Sequence, residues 1–251
     1  MKIEKFSIAH IPAVLYGEQS QRIFLFIHGQ DGNKEEAKRF ARLAVPMGWQ
    51  VLSVDLPEHG ERTDAAKLLP WIVLPELQRV MQWMRKRWKQ IAVHATSIGA
   101  WFCLLALERE SIECYLLVSP LVDMENMIQN MMQWAHVTEA QLQQEREIPT
   151  SFGQTLSWEY LCWVREHPVQ VSCNNIRILY GEQDELIPQA VIHDFAQKHT
   201  CTLTVVKDGE HWLHTPEQLN AMEVWESIKL QSHDDHTENL LDIPDGSQDS
   251  R

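Results

Sequence analysis

Residues 93–100, with the sequence VHATSIGA, decide how this chain folds. The segment ends an apolar strand, turns sharply at Ser97 and opens a helix at once, which is the strand–turn–helix context of the motif G-x-S-x-G. Ala95 stands in place of the first glycine, but alanine still leaves little bulk beside the turn. We therefore expect the Ser97 hydroxyl at a helix N-terminus, where developing negative charge is favoured.

Strand-like and helix-like segments alternate on both sides of this turn. Apolar runs predict strands at residues 22–27, 50–55, 91–95, 114–119, 176–180 and 202–207. Helical patterns predict helices at residues 35–44, 71–88, 99–107, 188–198 and 216–230, the last with Thr215 as its N-cap. The alternation predicts an α/β fold with a mostly parallel, doubly wound sheet and helices on both faces. Residues 2–8 and 13–16 are expected to add an antiparallel pair at one edge.

Residues 121–172 interrupt this alternation. They follow a predicted strand, hold no clear strand of their own and are rich in methionine and aromatic residues. We predict two or three short helices inserted over the sheet as a cap. Trp134, Trp158 and Trp163 of this segment, with Trp212 from a later loop, are predicted to line an apolar pocket.

The end of the chain differs in composition from the rest. Residues 232–251 carry six acidic side chains against one arginine. We therefore expect residues 231–251 to form an acidic disordered tail behind a single domain at residues 1–230.

Composition limits the classes of partner. Lysine and arginine number 22 against 35 aspartates and glutamates, a net charge of −13, which argues against nucleic-acid and membrane partners and favours a small molecule. The five cysteines show no CxxC spacing and no apolar run reaches membrane-spanning length, so we expect reduced thiols and a cytoplasmic protein. No metal-ligand spacing or nucleotide-binding motif occurs, so no metal and no cofactor is predicted. Monomer and dimer both remain open.

A histidine–glycine turn at residues 26–32, FIHGQDG, follows the first buried strand. Acyl transfer requires two backbone N–H donors aimed at the oxyanion. One is expected from Ile98, the residue after the serine, and the other from Gln30 in this turn. Taken by itself, the segment favours a plain glycine turn in which His28 is a hydrogen-bonded structural residue.

Two later loops supply a carboxylate and an imidazole. Asp184 follows the strand at residues 176–180, and His211, 27 positions later, follows the strand at residues 202–207. A reactive serine needs an adjacent base, and that base needs a carboxylate to hold its tautomer. Because parallel strands end at a common edge, the order Ser97, Asp184, His211 suits such a triad.

Other residues compete for these roles. Asp123, Glu182 and Glu185 are alternative carboxylates, and His214 is an alternative base. Cys103 lies within the helix after the serine turn, where we expect a buried structural thiol rather than a nucleophile.

Taken together, the four motifs resemble those of the α/β-hydrolase superfamily over roughly residues 15–230. The chain looks most similar to small intracellular bacterial serine hydrolases, many of them esterases of unassigned substrate. The resemblance implies that Ser97 is the nucleophile, His211 the general base and Asp184 its orienting partner. In residues 55–60, DLPEHG, Glu58 stands where the family usually has glycine, so this turn is expected to differ in shape.

The resemblance implies a serine hydrolase that cleaves a carboxylic ester or thioester with an apolar acyl or aryl group. A C–C bond lyase or an acyltransferase on the same triad is the alternative. A lyase would need a cation at the pocket rim, for which Arg62, Arg146 and Arg165 are candidates. A non-catalytic binding protein is the third possibility, and the absence of one of the three triad residues would indicate it.

Overall fold

The computed structural model of the chain describes residues 1–171 and 175–231. Cys173 and residues 232–251 of the predicted acidic tail lie outside the described residues. Gln231, the first residue of that predicted tail, belongs to the last helix instead. The prediction of one domain over residues 1–230 stays a prediction.

Residues 1–171 and 175–231 contain ten strands, which form two sheets. The strands are β1 (Ile3–Ile8), β2 (Ile11–Tyr16), β3 (Arg22–Ile27), β4 (Trp49–Val54), β5 (Gln90–Thr96), β6 (Tyr115–Val118), β7 (Glu147–Pro149), β8 (Thr155–Ser157), β9 (Ile176–Gly181) and β10 (Thr202–Val206). Eight of them make the central sheet, in the order β1-β2-β4-β3-β5-β6-β9-β10. β1 and β2, and β2 and β4, pair antiparallel, whereas all the other neighbours are parallel. The mostly parallel sheet and its antiparallel edge pair are therefore confirmed.

Eight α-helices lie in the described part of the chain. They are α1 (Ala37–Ala44), α2 (Pro70–Arg85), α3 (Ile98–Ala106), α4 (Met124–Trp134), α5 (Glu139–Glu145), α6 (Trp158–Glu166), α7 (Gln189–Lys198) and α8 (Pro216–Gln231). Short 3₁₀ turns at Lys34–Glu36 and Val45–Met47 flank α1. Thr215 caps α8 as predicted, because its Oγ1 accepts the Gln218 N–H at 3.3 Å.

Two apolar clusters cover the two faces of the sheet. One joins the buried sides of α2, α3 and α7 to the strands. The other joins α1 and α8 to the opposite face, with Phe24, Phe40 and Trp225 among its buried side chains. The buried, nearly continuous apolar runs of the parallel strands are explained by this double cover.

The segment between β6 and β9 contains three helices, as predicted, and a short antiparallel hairpin of β7 and β8. The prediction that it holds no strand was wrong, because three-residue strands are too short to show alternation. Arg165 joins its helices: Nε lies 2.7 Å from Glu125, and the two terminal nitrogens lie 2.7 and 2.9 Å from Glu139. In the described residues no helix is both long and apolar enough to cross a membrane.

Candidate active site

Ser97 lies on the turn between β5 and α3, with φ +51° and ψ −122°. An L-residue rarely adopts a positive φ, so the surrounding hydrogen bonds must hold this backbone in place. The Ser97 N–H donates to the Val118 carbonyl, and the Ser97 carbonyl accepts from Leu121, both at 3.1 Å. The turn is thereby tied to the end of β6, and the Ser97 side chain is left partly accessible.

A continuous chain of hydrogen bonds joins Ser97, His211 and Asp184. Ser97 Oγ lies 2.9 Å from His211 Nε2, and His211 Nδ1 lies 2.7 Å from Asp184 Oδ2. Asp184 Oδ1 accepts the backbone N–H groups of Leu186 and Ile187, each at 2.9 Å. Because Asp184 accepts the hydrogen bond from Nδ1–H and holds the proton on that nitrogen, His211 Nε2 is free to accept the serine proton, which is the arrangement that activates a hydroxyl.

Two loops meet closely to bring Asp184 beside His211. A Cβ on Gly181, at the end of β9, would lie 2.5 Å from the Gly209 carbonyl oxygen. The Gln183 N–H donates to that same carbonyl at 2.7 Å. Only a residue without a side chain allows this approach, so Gly181 sets the distance between the loops after β9 and β10.

The alternative residues take other positions. Asp123 Oδ1 caps α4 by accepting the Asn126 N–H at 2.9 Å, Glu182 accepts the Asp208 N–H at 3.1 Å, and Glu185 is exposed. His214 is exposed and lies 3.2 Å from Glu210. Cys103 is a buried thiol whose pKa is raised by burial, so it stays protonated.

The loop after β3 lies directly against the start of α3. A Cβ on Gly99 would lie 2.3 Å from the His28 carbonyl oxygen, and one on Gly29 would lie 3.2 Å from the Ser97 Cβ. Within the described residues, the backbone N–H groups of Gln30 and Ile98 donate to no hydrogen-bond acceptor. Two such donors beside a serine are what an oxyanion requires.

Two buried histidines connect this loop to the loop after β4. His28 Nδ1 donates to the Gly29 carbonyl at 2.8 Å, and His28 Nε2 accepts the Leu56 N–H at 3.1 Å. Burial lowers the pKa of His28 to about 4, so the ring is neutral near pH 7. His59 Nδ1 donates to the Pro57 carbonyl at 2.7 Å, and its Nε2 accepts from Asp31 at 3.0 Å. The sequence did not lead us to predict this role of His59 in connecting the two loops, although the residue lies in the segment DLPEHG at residues 55–60.

Glu58 adopts the left-handed backbone that usually favours glycine, with φ +66°. Its carboxylate lies 2.7 Å from Lys67 Nζ and accepts the Leu68 N–H at 2.9 Å. The glutamate therefore holds a left-handed backbone at this position. The expectation that this turn differs in shape from the family's stays a prediction.

The predicted pocket residues are dispersed. Trp163 packs among other aromatic rings, and the Trp212 ring lies 4.8 Å from that of His211 but is 64% exposed. Trp134 is 46% exposed and contacts Phe152, not the triad. Trp158 is half-buried at the start of α6.

Three aromatic residues beside Trp163 were not predicted. Trp71 and Trp101 each pack with both Trp163 and Tyr160, at centroid distances of 6.1–6.4 Å. They come from α2, α3 and α6, so no local pattern joins them in the sequence. We call these four residues the aromatic cluster.

Metal ligands do not gather around the triad. No group of three or more histidine, cysteine, aspartate or glutamate side chains in the described ranges is arranged to hold a metal ion.

We compared the chain with known proteins in sequence and in structure. The chain matches no model of a known protein family, and no similar protein was found among curated sequences. Est1E from Butyrivibrio proteoclasticus, solved with ferulic acid bound, is similar in structure, with a TM-score of 0.70 and 18% identity over 92% of this chain and 100% of that one. Mouse alpha/beta hydrolase domain-containing protein 10 gives a TM-score of 0.69 and 13% identity, over 93% of this chain and 100% of that one.

The esterase Pf2001 of Pyrococcus furiosus is a third similar structure. It gives a TM-score of 0.62 and 18% identity, over 88% of this chain and 85% of that one. These likenesses confirm the α/β-hydrolase fold of the chain. At such low identity they establish the fold and leave the activity to be argued from the site.

Proposed function

We propose that this protein is a serine hydrolase that cleaves a carboxylic ester or thioester through an acyl-enzyme. The observation that carries the proposal is the hydrogen-bond chain from Ser97 Oγ through His211 to Asp184, at 2.9 and 2.7 Å. The likeness to a protein named as an esterase supports the same chemistry.

The reaction has two halves. Ser97 Oγ attacks the carbonyl carbon while its proton passes to His211 Nε2, and the Gln30 and Ile98 N–H groups hold the oxyanion. The tetrahedral intermediate collapses, and the leaving alcohol or thiol takes the proton from His211. Water then attacks the acyl-enzyme with His211 again as base, which releases the carboxylic acid and returns the proton to Ser97.

A lyase is less well supported by the arginines. Arg62 is buried and forms a bidentate pair with Glu76 at 2.8 and 3.0 Å, and it lies 2.8 Å from Asp64. Its guanidinium group is therefore already occupied by these two carboxylates. Arg165 is held by Glu125 and Glu139 within the inserted segment. Arg146 is exposed at the end of α5. Two of the three candidate arginines, Arg62 and Arg165, are therefore already paired with carboxylates of the protein itself.

The binding-protein alternative predicts that no covalent chemistry occurs at Ser97. Labelling with a fluorophosphonate probe separates it from the hydrolase, with the adduct located by mass spectrometry. We expect wild-type protein to label at Ser97, and Ser97→Ala and His211→Ala to stay unlabelled. His214→Ala, three residues further on, is the matched control and should label like the wild type.

A panel of 4-nitrophenyl esters and acyl thioesters then defines the substrate. We expect turnover to increase from acetyl to larger apolar or aryl acyl groups. Failure of the wild type to label, or equal labelling of Ser97→Ala, would refute the hydrolase proposal.

A further inference from the structure

Lys34 and Asp55 form a fully buried ion pair that the triad mechanism does not use. Lys34 Nζ lies 2.7 Å from Asp55 Oδ2, and the two side chains are 1% and 0% exposed. Burial opposes the charged form of each group, but the hydrogen bond between them lowers the pKa of the Asp55 carboxyl and raises that of the Lys34 ammonium. A buried ion pair often adds no stability over a well-packed apolar pair, so a further role is expected of this one.

The Asp55 carboxylate also accepts backbone N–H groups from two different loops. Its Oδ1 accepts the Lys34 N–H, at the end of the loop after β3, and its Oδ2 accepts the Glu61 N–H, in the loop after β4, both at 2.8 Å. Asp55 is itself anchored to the sheet, because it directly follows β4 and its own N–H donates to the Pro12 carbonyl at 3.0 Å. One carboxylate at the end of a strand therefore holds both loops.

The loop after β4 is shaped closely around this carboxylate. Gly60 has φ +55°, and a Cβ on it would lie 2.1 Å from Asp55 Oδ1. Only a residue without a side chain allows the chain to pass so near, and the next residue, Glu61, donates its N–H to the carboxylate. The path of residues 55–61 is therefore set by the Asp55 side chain.

The loop after β3 carries the proposed oxyanion donor. Lys34 lies four residues after Gln30. The segment between them turns tightly, and the Gly32 N–H donates to the Gly29 carbonyl at 3.3 Å. Because this segment is so short, holding Lys34 limits the positions that the Gln30 N–H can take.

The loop after β4 acts on the same donor through His59. His59 lies between Asp55 and Glu61, the two residues that the 2.8 Å hydrogen bond joins. Its Nε2 accepts the N–H of Asp31, the residue after Gln30, at 3.0 Å. A change in the path of residues 55–61 therefore moves the imidazole that holds the oxyanion donor's neighbour.

This inference rests on the proposed function and adds a positioning residue to it. We propose that the Asp55 carboxylate positions the oxyanion loop, residues 28–34, with Lys34 Nζ as its charge partner. Oxyanion donors must be preorganised, since they stabilise charge that develops only in the transition state. Because Asp55 acts through the position of the backbone and not on the substrate itself, loss of this role should lower kcat and leave KM nearly unchanged.

The double variant Lys34→Met/Asp55→Asn tests this role without leaving an unpaired charge in the interior. Asparagine offers one acceptor oxygen where aspartate offers two, so it cannot keep both loops in place. We expect kcat to fall by about tenfold and KM to change by less than about twofold. Asp55→Asn alone is a second test with the same expectation, because Lys34 Nζ keeps Glu61 at 3.1 Å and Glu35 at 3.4 Å as partners.

A transition-state analogue examines the oxyanion donors directly. A trifluoromethyl ketone forms a tetrahedral adduct with Ser97 whose oxyanion faces the same N–H groups. We expect its affinity for the double variant to fall by about the same factor as kcat, since both report binding of the transition state.

Gln50→Met is the matched control for a general loss of stability. Gln50 is buried at the opposite end of β4 from Asp55, and its Oε1 accepts the Trp88 indole N–H at 2.8 Å. We expect this variant to lower the Tm and to keep kcat within about twofold, because the lost hydrogen bond lies at the end of the sheet away from Ser97. A merely structural Asp55 would give the double variant the same behaviour.

Hydrogen exchange measures the hold on the loop without any turnover. In peptides that cover residues 28–34, we expect faster amide exchange in the double variant than in the wild type and Gln50→Met. Retention of kcat or of slow exchange in the double variant, or an equal loss of kcat in Gln50→Met, would overturn the inference. Absence of probe labelling of the wild type at Ser97 would overturn the proposed function instead, and the exchange measurement would still test the hold of Asp55 on the loop.

Discussion

The backbone N–H of Asp31 donates to Nε2 of His59 at 3.0 Å, across the gap between the loops after β3 and β4. Asp31 directly follows Gln30, whose N–H is the proposed second oxyanion donor. His28 makes a parallel connection through the Leu56 N–H. Since neither loop contains regular structure at this point, these imidazoles determine where the Gln30 N–H lies relative to Ser97.

His59→Ala should lower kcat by about tenfold with little change in KM, because a displaced oxyanion donor weakens binding of the transition state and not of the substrate. His59→Gln offers an acceptor oxygen at a similar distance from the backbone and should restore most of kcat. Steady-state kinetics on the best ester of the panel measure both. Equal losses in the two variants would mean that His59 acts only through packing.

The buried His28 predicts an acid-sensitive stability. Its pKa is about 4 in the folded protein against 6.5 in a free side chain, so the unfolded chain takes up the proton first as the pH falls. The stability that this neutral histidine contributes is complete above pH 6.5 and is lost progressively from pH 6.5 to 4, by about 3 kcal/mol. Urea unfolding at a series of pH values should show that slope, and His28→Asn should flatten it. An unchanged slope in the variant would assign the effect to other groups.

Asp184→Asn should lower turnover by a factor on the order of 10³–10⁴. The amide of an asparagine donates to His211 Nδ1, which places the ring proton on Nε2 and leaves no acceptor for the serine proton. Asp123→Asn is the matched control, because asparagine caps a helix as well as aspartate and α4 should be kept. Hydrolysis and probe-labelling rates should separate the two variants. A comparable loss in Asp123→Asn would reopen the choice of carboxylate.

A fourth prediction concerns the contribution of Glu226 to the stability of the fold. It is fully buried in α8, lies 2.8 Å from His94 Nε2 beneath the Ser97 turn, and forms a bidentate pair with Arg39 at 2.8 and 2.9 Å. These partners hold the pKa of Glu226 below its usual range despite its burial. Glu226→Ala should cost about 3–5 kcal/mol of unfolding free energy, because it leaves Arg39 and His94 without their acceptor.

Glu223→Gln is the control for that loss. Glu223 lies on the same helix, is half-exposed and comes no closer than 3.9 Å to Arg39. Its substitution should change the unfolding free energy by less than about 0.5 kcal/mol. Chemical denaturation measures both variants, and similar values for the two would show that the buried network is not a major source of stability.

Local sequence patterns predicted most strands and helices to within two or three residues. Apolar runs, turn residues and caps are short-range signals, and Thr215 ahead of α8 is one that the structure confirms. The β7–β8 hairpin was not predicted, because its strands are only three residues long. Trp134 was predicted in a pocket but is exposed, since tryptophan content gives no direction for a side chain.

The sequence by itself determined the order of the elements and the end of the sheet at which the site lies. Parallel strands finish at one edge, so Ser97, Asp184 and His211, each directly after a strand, had to gather there. Only the tertiary structure decided which side chains touch. The His59–Asp31 bond, the burial of Arg62 against Glu76, and the aromatic cluster of Trp71, Trp101, Tyr160 and Trp163 all join distant parts of the chain. Such contacts depend on packing distances and directions between elements, which no local pattern encodes.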